Sequence, residues 1–187
     1  MTVSEPDTAL MKERIINWIK TDITIYDETK PEGDPIEGEI STKVTSVIFG
    51  VPEEENWEKE LAPFISVSNA DNFVTSDQFF GSVVNDELTS SYEKISFDIV
   101  LVVQAAEAET TERLIDSLHK KLKMRLKSNV QLKDVVTDTT DPNFGKLING
   151  TEICATSRLG NTISLQAPML SRRLFAYRIV MECEVQV

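Results

Sequence analysis

From Phe175 to Val187 the odd positions read Phe175, Tyr177, Ile179, Met181, Cys183, Val185 and Val187, while Arg178, Glu182, Glu184 and Gln186 hold even ones. Successive side chains of a strand point to opposite faces, so alternation sustained over this length predicts a long β-strand with one dry and one wet face. The stretch Ile95–Val103 begins the same way, with Ser96 and Asp98 between Ile95, Phe97 and Ile99. Val100 and Val102 then fill the even positions, so this strand is expected to be buried on one face at first and on both later.

Two stretches carry helical spacing instead. Ser4-Glu5-Pro6-Asp7 has the form of a helix start, with Ser4 as the cap, and Met11, Ile15, Trp18, Ile19 and Ile23 follow on one face. This predicts an amphipathic helix over Asp7–Ile23. The second helix is expected from Thr110 or Thr111 to Lys127, with Leu114, Ile115, Leu118, Leu122 and Leu126 as its apolar stripe. Lys120, Lys121, Lys123, Arg125 and Lys127 crowd its C-terminal half, where the helix dipole favours cations.

Shorter strands are expected at Lys43–Phe49, Phe64–Ser68, and Val130–Leu132 with Val135–Val136. Trp57 and Leu61 suit a short helical turn. Asn149-Gly150 signals a tight turn, and Gly160-Asn161 predicts a small hairpin joining Glu152–Thr156 to Thr162–Gln166. Pro168 interrupts the pattern before the last strand. Residues 27–39 carry six acids, two prolines and two glycines, which makes them an exposed loop rather than an extension of the first helix. The whole is one α+β domain over residues 1–187, a mixed or antiparallel sheet with two main helices and long loop insertions near 27–40, 69–91 and 137–170.

Most kinds of chemistry are excluded by residue type or spacing. His119 is the only histidine, so a multi-histidine metal site is ruled out, and no acid or nucleophile stands at a sequence spacing that would enlist it. It is expected at the surface of the second helix. The glycines fit neither a phosphate loop nor a dinucleotide fingerprint. The acidic loop Asp27–Glu39 fails the calcium-loop pattern, because Thr29 and Pro31 occupy ligand positions. Asn149-Gly150-Thr151 matches a glycosylation sequon, but the turn reading suits it better. No catalytic residue, cofactor or metal is expected. Two cysteines, Cys154 and Cys183, are too few for a disulfide framework and read as small buried hydrophobes. The N-terminus lacks the pattern of a signal peptide, and no apolar run is long enough to cross a membrane, so a soluble protein made in a reducing compartment is expected.

Charge is more informative. The net charge is −12, which should repel phosphate backbones. Residues 1–112 hold 24 acids against 7 bases, whereas residues 113–187 hold 7 acids against 12 bases. Opposite surfaces on one subunit favour head-to-tail contact between copies, although folding that interleaves the halves would cancel the effect. For Lys120, Lys123 and Lys127 the readings are a solvated helix end, contact with an acidic face of another subunit, or nucleic acid. Arg172 and Arg173 are either plain surface residues or partners for acids across an interface. Residues 69–91 mix polar side chains with Phe79, Phe80, Val83 and Val84 in no sustained period. These four either fold back over the domain's own core or contact another subunit. Changing Phe79 and Phe80 to Ser should impair assembly in the second case and unfold the chain in the first.

The order of elements resembles the tail terminator (tail completion) proteins of long-tailed phages and related viruses. An N-terminal amphipathic helix precedes the proline-led strand Ala62-Pro63-Phe64-Ile65-Ser66-Val67. The strand Tyr92–Val103 feeds directly into the helix Thr111–Lys127, and Leu174–Val187 closes the chain. The chain is longer than that family leads one to expect, and no site is carried over from it. The resemblance implies a virion structural protein, made in the host cytoplasm, that forms a homo-oligomeric ring, typically a hexamer. Such a ring would cap the tail tube and meet a neck or connector protein, with DNA only as cargo passing through a negative lumen and no role for a membrane. The wet face of the last strand, with Arg178, Glu182 and Glu184, would then lie at or near a subunit boundary. Another neck, connector or tail-tube subunit is the alternative, and a small-molecule or metal-binding module with residues 69–91 as a lid is a further one.

Overall fold

The computed structural model describes residues 7–27, 42–50, 63–70, 83–84, 87–88, 92–104, 108–165 and 174–186. The two alternating stretches are its centre. In chain order, β5 (Tyr92–Gln104) and β7 (Leu174–Gln186) pair antiparallel along their whole length, from Tyr92 opposite Gln186 to Gln104 opposite Leu174. β2 (Phe64–Asn69) adds antiparallel to the other edge of β5, β1 (Ser46–Phe49) adds parallel to β2, and β6 (Thr156–Leu165) adds antiparallel to β7. The order β1-β2-β5-β7-β6 therefore makes a mixed five-stranded sheet, and the fold is α+β as expected. β3 (Val83–Val84) and β4 (Glu87–Leu88) form a separate two-stranded ribbon inside the stretch that has no readable period.

The dry face of the sheet carries Ile65, Val67, Ile95, Phe97, Ile99, Leu101, Ile179, Met181 and Cys183, all buried. Both helices cover it. α1 (Thr8–Lys20) contributes Met11, Ile15 and Ile19, and α2 (Ala108–Lys127) contributes Leu114, Ile115, Leu118, Leu122 and Leu126. Each of the large side chains sealed here stabilises the fold by roughly 1.5–3 kcal/mol. The opposite face holds a smaller cluster of Phe64, Val100, Val102 and Ala176, with Ile48 against it. That cluster bears out the change from one-sided to two-sided burial along β5.

Several local expectations need correction. Asp7, not Ser4, caps α1: its carboxylate accepts the Leu10 amide at 2.9 Å, and Ser4 lies outside the described residues. α1 stops at Lys20 because Asp22 takes over the backbone, accepting the amide and hydroxyl of Thr24. α2 starts at Ala108, so Thr111 is a buried first-turn residue rather than the cap. Residues 130–136 form no strand beyond a single bridge between Val135 and Leu147. Their backbone is bonded piecemeal: Asn129 bonds both the amide and the carbonyl of Lys133, Thr151 Oγ1 accepts the Asp134 amide, and Val136 pairs with the backbone of Gly145 and Lys146.

The largest correction concerns Gly160-Asn161, which is not a hairpin turn. β6 runs straight through it, with Leu159 opposite Met181 and Thr162 opposite Ile179, so two residues face Val180 alone. This is a β-bulge. The turn signal is local, but the thirteen-residue edge of β7 offers a longer pairing than a small hairpin could. The Asn149-Gly150 turn stands, with Gly150 at φ +78°. The expected helical turn at Trp57 and Leu61 lies outside the described residues.

Candidate functional site

α2 carries the densest run of cations, and its geometry separates them. At about 100° per residue, a helix spreads a run of lysines around its circumference. Lys121 turns to the α1 side, where its Nζ donates to the Thr24 carbonyl at 3.3 Å. Lys123 turns to the sheet side and donates to Thr162 Oγ1 of β6 at 3.4 Å. Lys120, Met124 and Lys127 remain on the exposed stripe between these flanks, in line with Glu109, Arg113, Asp116 and Ser117 further up the helix.

Arg125, expected among the cations of a solvated helix end, is a structural part. Its guanidinium lies 3.2 Å from the Trp18 ring centre and donates to the Trp18 carbonyl and to Thr21 Oγ1, both at 2.9 Å. Trp18 Nε1 returns a bond to the Arg125 carbonyl at 2.7 Å, and Asp22 stands 3.7 Å away. These bonds join α1 to α2. Burial holds the Arg125 pKa below its usual value, opposed by the Asp22 charge.

The joint also places Ile23. Its neighbours Asp22 and Thr24 touch Arg125 and Lys121 of α2. Ile23 is 69% exposed and Met124 65%, so two large apolar side chains lie bare, Met124 on the same stripe as Lys120 and Lys127. Helical spacing assigns Ile23 to the buried face of the first helix, but that helix ends before it. Met124 lies off the Leu stripe of α2.

His119 is half-buried rather than on the outer surface. Its Nε2 is 3.1 Å from Thr162 Oγ1, and its ring lies 4.8 Å from that of Tyr177, centre to centre. Asp116 accepts a hydrogen bond from Tyr177 Oη at 3.0 Å. Burial lowers the His119 pKa, Lys123 lowers it further, and Asp116 partly offsets them. The bond to Asp116 raises that of Tyr177. Sequence spacing along α2 alone could not show this group, because Thr162 and Tyr177 come from β6 and β7. Its hydrogen bonds run from α2 to the sheet and bind the helix down.

The wet face of β7 is likewise occupied within the subunit. Arg178 reaches Asp98 Oδ2 at 2.5 Å, and Asp98 is only 5% exposed. Ser66 and Ser68 are buried on the same face, and Ser68 Oγ and Asp98 Oδ1 have no hydrogen-bond partner among the described residues. Glu182 lies between Lys94 at 2.9 Å and Arg158 at 2.6 Å, in a row across three strands. Hydrogen bonding from Lys94 comes first among the causes that lower the Glu182 pKa, with Arg158 also contributing. Of the wet-face charges expected near a subunit boundary, Glu184 is the one left exposed.

Of the surface candidates named from the sequence, then, Lys120 and Lys127 share a stripe and Lys123 leans away from it. Val83 and Val84 belong to the β3–β4 ribbon, while Phe79, Phe80, Arg172 and Arg173 lie outside the described residues. Among the described residues no group of three or more His, Cys, Asp or Glu side chains could hold a metal ion, and no helix is long and apolar enough to cross a membrane. No protein-family model and no curated protein matches the chain.

Proposed function

We propose that the chain is a structural subunit of a viral particle, assembling into a homo-oligomeric ring that ends the tail tube and joins it to the head or neck. The observation that carries this reading is the exposure of two large apolar side chains, Ile23 just after α1 and Met124 on α2, the latter on the same exposed helix stripe as Lys120 and Lys127. Exposed large apolar side chains that form a patch mark interaction sites. The cations would suit acidic groups on the next copy of a chain whose net charge is −12. The element order supports the tail-terminator form of the proposal, and the acidic balance suits a lumen through which DNA slides without sticking. The ring is a hexamer in this reading, and its partners are a tube protein on one side and a neck or connector protein on the other.

Light scattering on the eluting protein tests self-association, and negative-stain images test its form. Closed rings of six chains support the proposal. Open filaments would make the chain a tube subunit instead, and a saturable thermal shift with a nucleotide or divalent cation would favour a ligand-binding module.

A further inference from the structure

Asn149 is the only asparagine of the chain followed by glycine. The turn leaves both residues exposed, and Gly150 adopts φ +78° with open space where a Cβ would stand. Without a Cβ beside it, the Gly150 backbone nitrogen is unhindered. Two charged side chains converge on this peptide. Lys133, from the segment after α2, donates to Asn149 Oδ1 at 3.4 Å. Glu152, beyond the turn, accepts the Gly150 amide at 3.4 Å. The two are paired with each other at 3.0 Å, so each fixes the other. The chain around them is fastened as well: Asn129 bonds the amide and the carbonyl of Lys133, and Thr151 Oγ1 accepts the Asp134 amide and donates to the Ile148 carbonyl. Hydrogen bonds from its own backbone amide, from Lys133 and from Gly150 lower the Glu152 pKa, which keeps its carboxylate charged at neutral pH.

We propose that Asn149 is a self-modification site, where the folded chain cyclises through the Gly150 nitrogen to a succinimide and then opens to aspartate or isoaspartate, with Glu152 taking the proton and Lys133 facing the oxyanion. The Gly150 nitrogen attacks Asn149 Cγ, to which it is held by the chain itself, so the step is unimolecular. As the N–C bond forms, the amide proton passes to Glu152 Oε1 and negative charge develops on Oδ1, where Lys133 stands. The Cγ–Nδ2 bond then breaks, the proton passes from Glu152 to the leaving nitrogen, and ammonia departs. Solvent water adds to either ring carbonyl. Cleavage of one ring C–N bond leaves aspartate, and cleavage of the other leaves isoaspartate. In sum, an amide and a water become an acid and ammonia, with no change in oxidation state. Either product places a second acid beside Lys133 in competition with Glu152. Isoaspartate also lengthens the backbone between Ile148, whose amide bonds the Asp134 carbonyl at 2.9 Å, and Thr151, whose carbonyl accepts from Arg14 of α1. The modified turn should therefore loosen from α1. The site is independent of the ring reading and would react in a monomer as in an oligomer.

The test incubates the full folded chain in warm, mildly alkaline buffer and follows its peptides by mass spectrometry. The peptide holding Asn149 should first lose the mass of ammonia and then regain water, while the other asparagines stay intact. Hydroxylamine should cut the intermediate between Asn149 and Gly150. The same chain in urea should react several-fold more slowly, because Glu152 and Lys133 are then no longer held at the turn. Glu152→Gln and Lys133→Met should each slow the folded reaction several-fold while melting close to wild type, and the comparison in urea needs no variant at all. The proposal is overturned if Asn149 keeps its amide, if the reaction is as fast in urea as in the folded chain, or if either variant keeps the wild-type rate. A cross-linked Lys133–Asn149 peptide would also overturn it, since the lysine and not Gly150 would then be the nucleophile.

Discussion

Replacing Arg178 with Met removes the cation that faces a buried carboxylate on the second face of the sheet. Asp98 keeps 8% of its side-chain surface, and its Oδ1 has no hydrogen-bond partner among the described residues, so Arg178 is the cation that compensates it through Oδ2. Breaking a buried pair by removing one member costs about 3–5 kcal/mol. Arg178 is itself 26% exposed, so water reaching the vacated site recovers part of that. The expected loss is about 2–4 kcal/mol, which lowers the melting temperature of a chain this long by roughly 5–15 °C. Asp98→Leu combined with Arg178→Met removes both charges beside Phe64, Val100, Val102 and Ala176. The double variant should be more stable than Arg178→Met alone by at least about 1 kcal/mol. Urea unfolding followed by Trp fluorescence measures both, with the slope unchanged if only stability moves. An Arg178→Met chain within about 0.5 kcal/mol of wild type, or a double variant as unstable as the two singles added, would show that Asp98 does not depend on this cation.

Other expectations follow from single contacts. Ser68→Ala removes a buried hydroxyl that has no partner among the described residues, so it should stabilise by about 1 kcal/mol in the same urea assay. Gly160→Ala should be nearly neutral, because a Cβ there meets Val180 at an ordinary 3.5 Å, whereas Gly150→Ala at φ +78° should cost roughly 1–2 kcal/mol; equal losses would contradict the bulge. The fold holds His119 in its neutral form, so the stability this gives is complete above the unfolded pKa of 6.5 and is lost as pH falls through the lowered folded value. His119→Gln should accordingly flatten the pH dependence of the melting temperature below about pH 6.5, and a profile unchanged from wild type would show that His119 does not contribute to it.

The parts of the fold legible in the sequence are those whose pattern repeats over many residues. β5 and β7 announce themselves through alternation, and the Leu-rich face of α2 through its spacing. The misread segments are short or set by distant partners. Gly160-Asn161 has the composition of a turn, yet β7 draws it into a strand. Val130 to Val136 has strand composition, yet the side chains of Asn129 and Thr151 take the backbone bonds of Lys133 and Asp134 in its middle and break any ladder. The surface is harder still. Arg125 and Lys121 are both cations of one run, and only the position of α1 makes the first a structural bond and the second a tether. Asp98 among apolar residues is a usable signal for a buried pair, and Arg178 at a matching parity on the other long strand is the partner to seek.

Sedimentation velocity on wild type and on the Ile23→Ser, Met124→Glu double variant asks whether the α2 surface assembles this chain. Both substitutions fall on exposed side chains, so the variant should melt close to wild type. Wild type should sediment as one discrete closed oligomer above a threshold concentration, while the folded variant stays monomeric throughout. A monomeric wild type at every concentration, or a variant that assembles as wild type does, would contradict an assembly built on Ile23 and Met124.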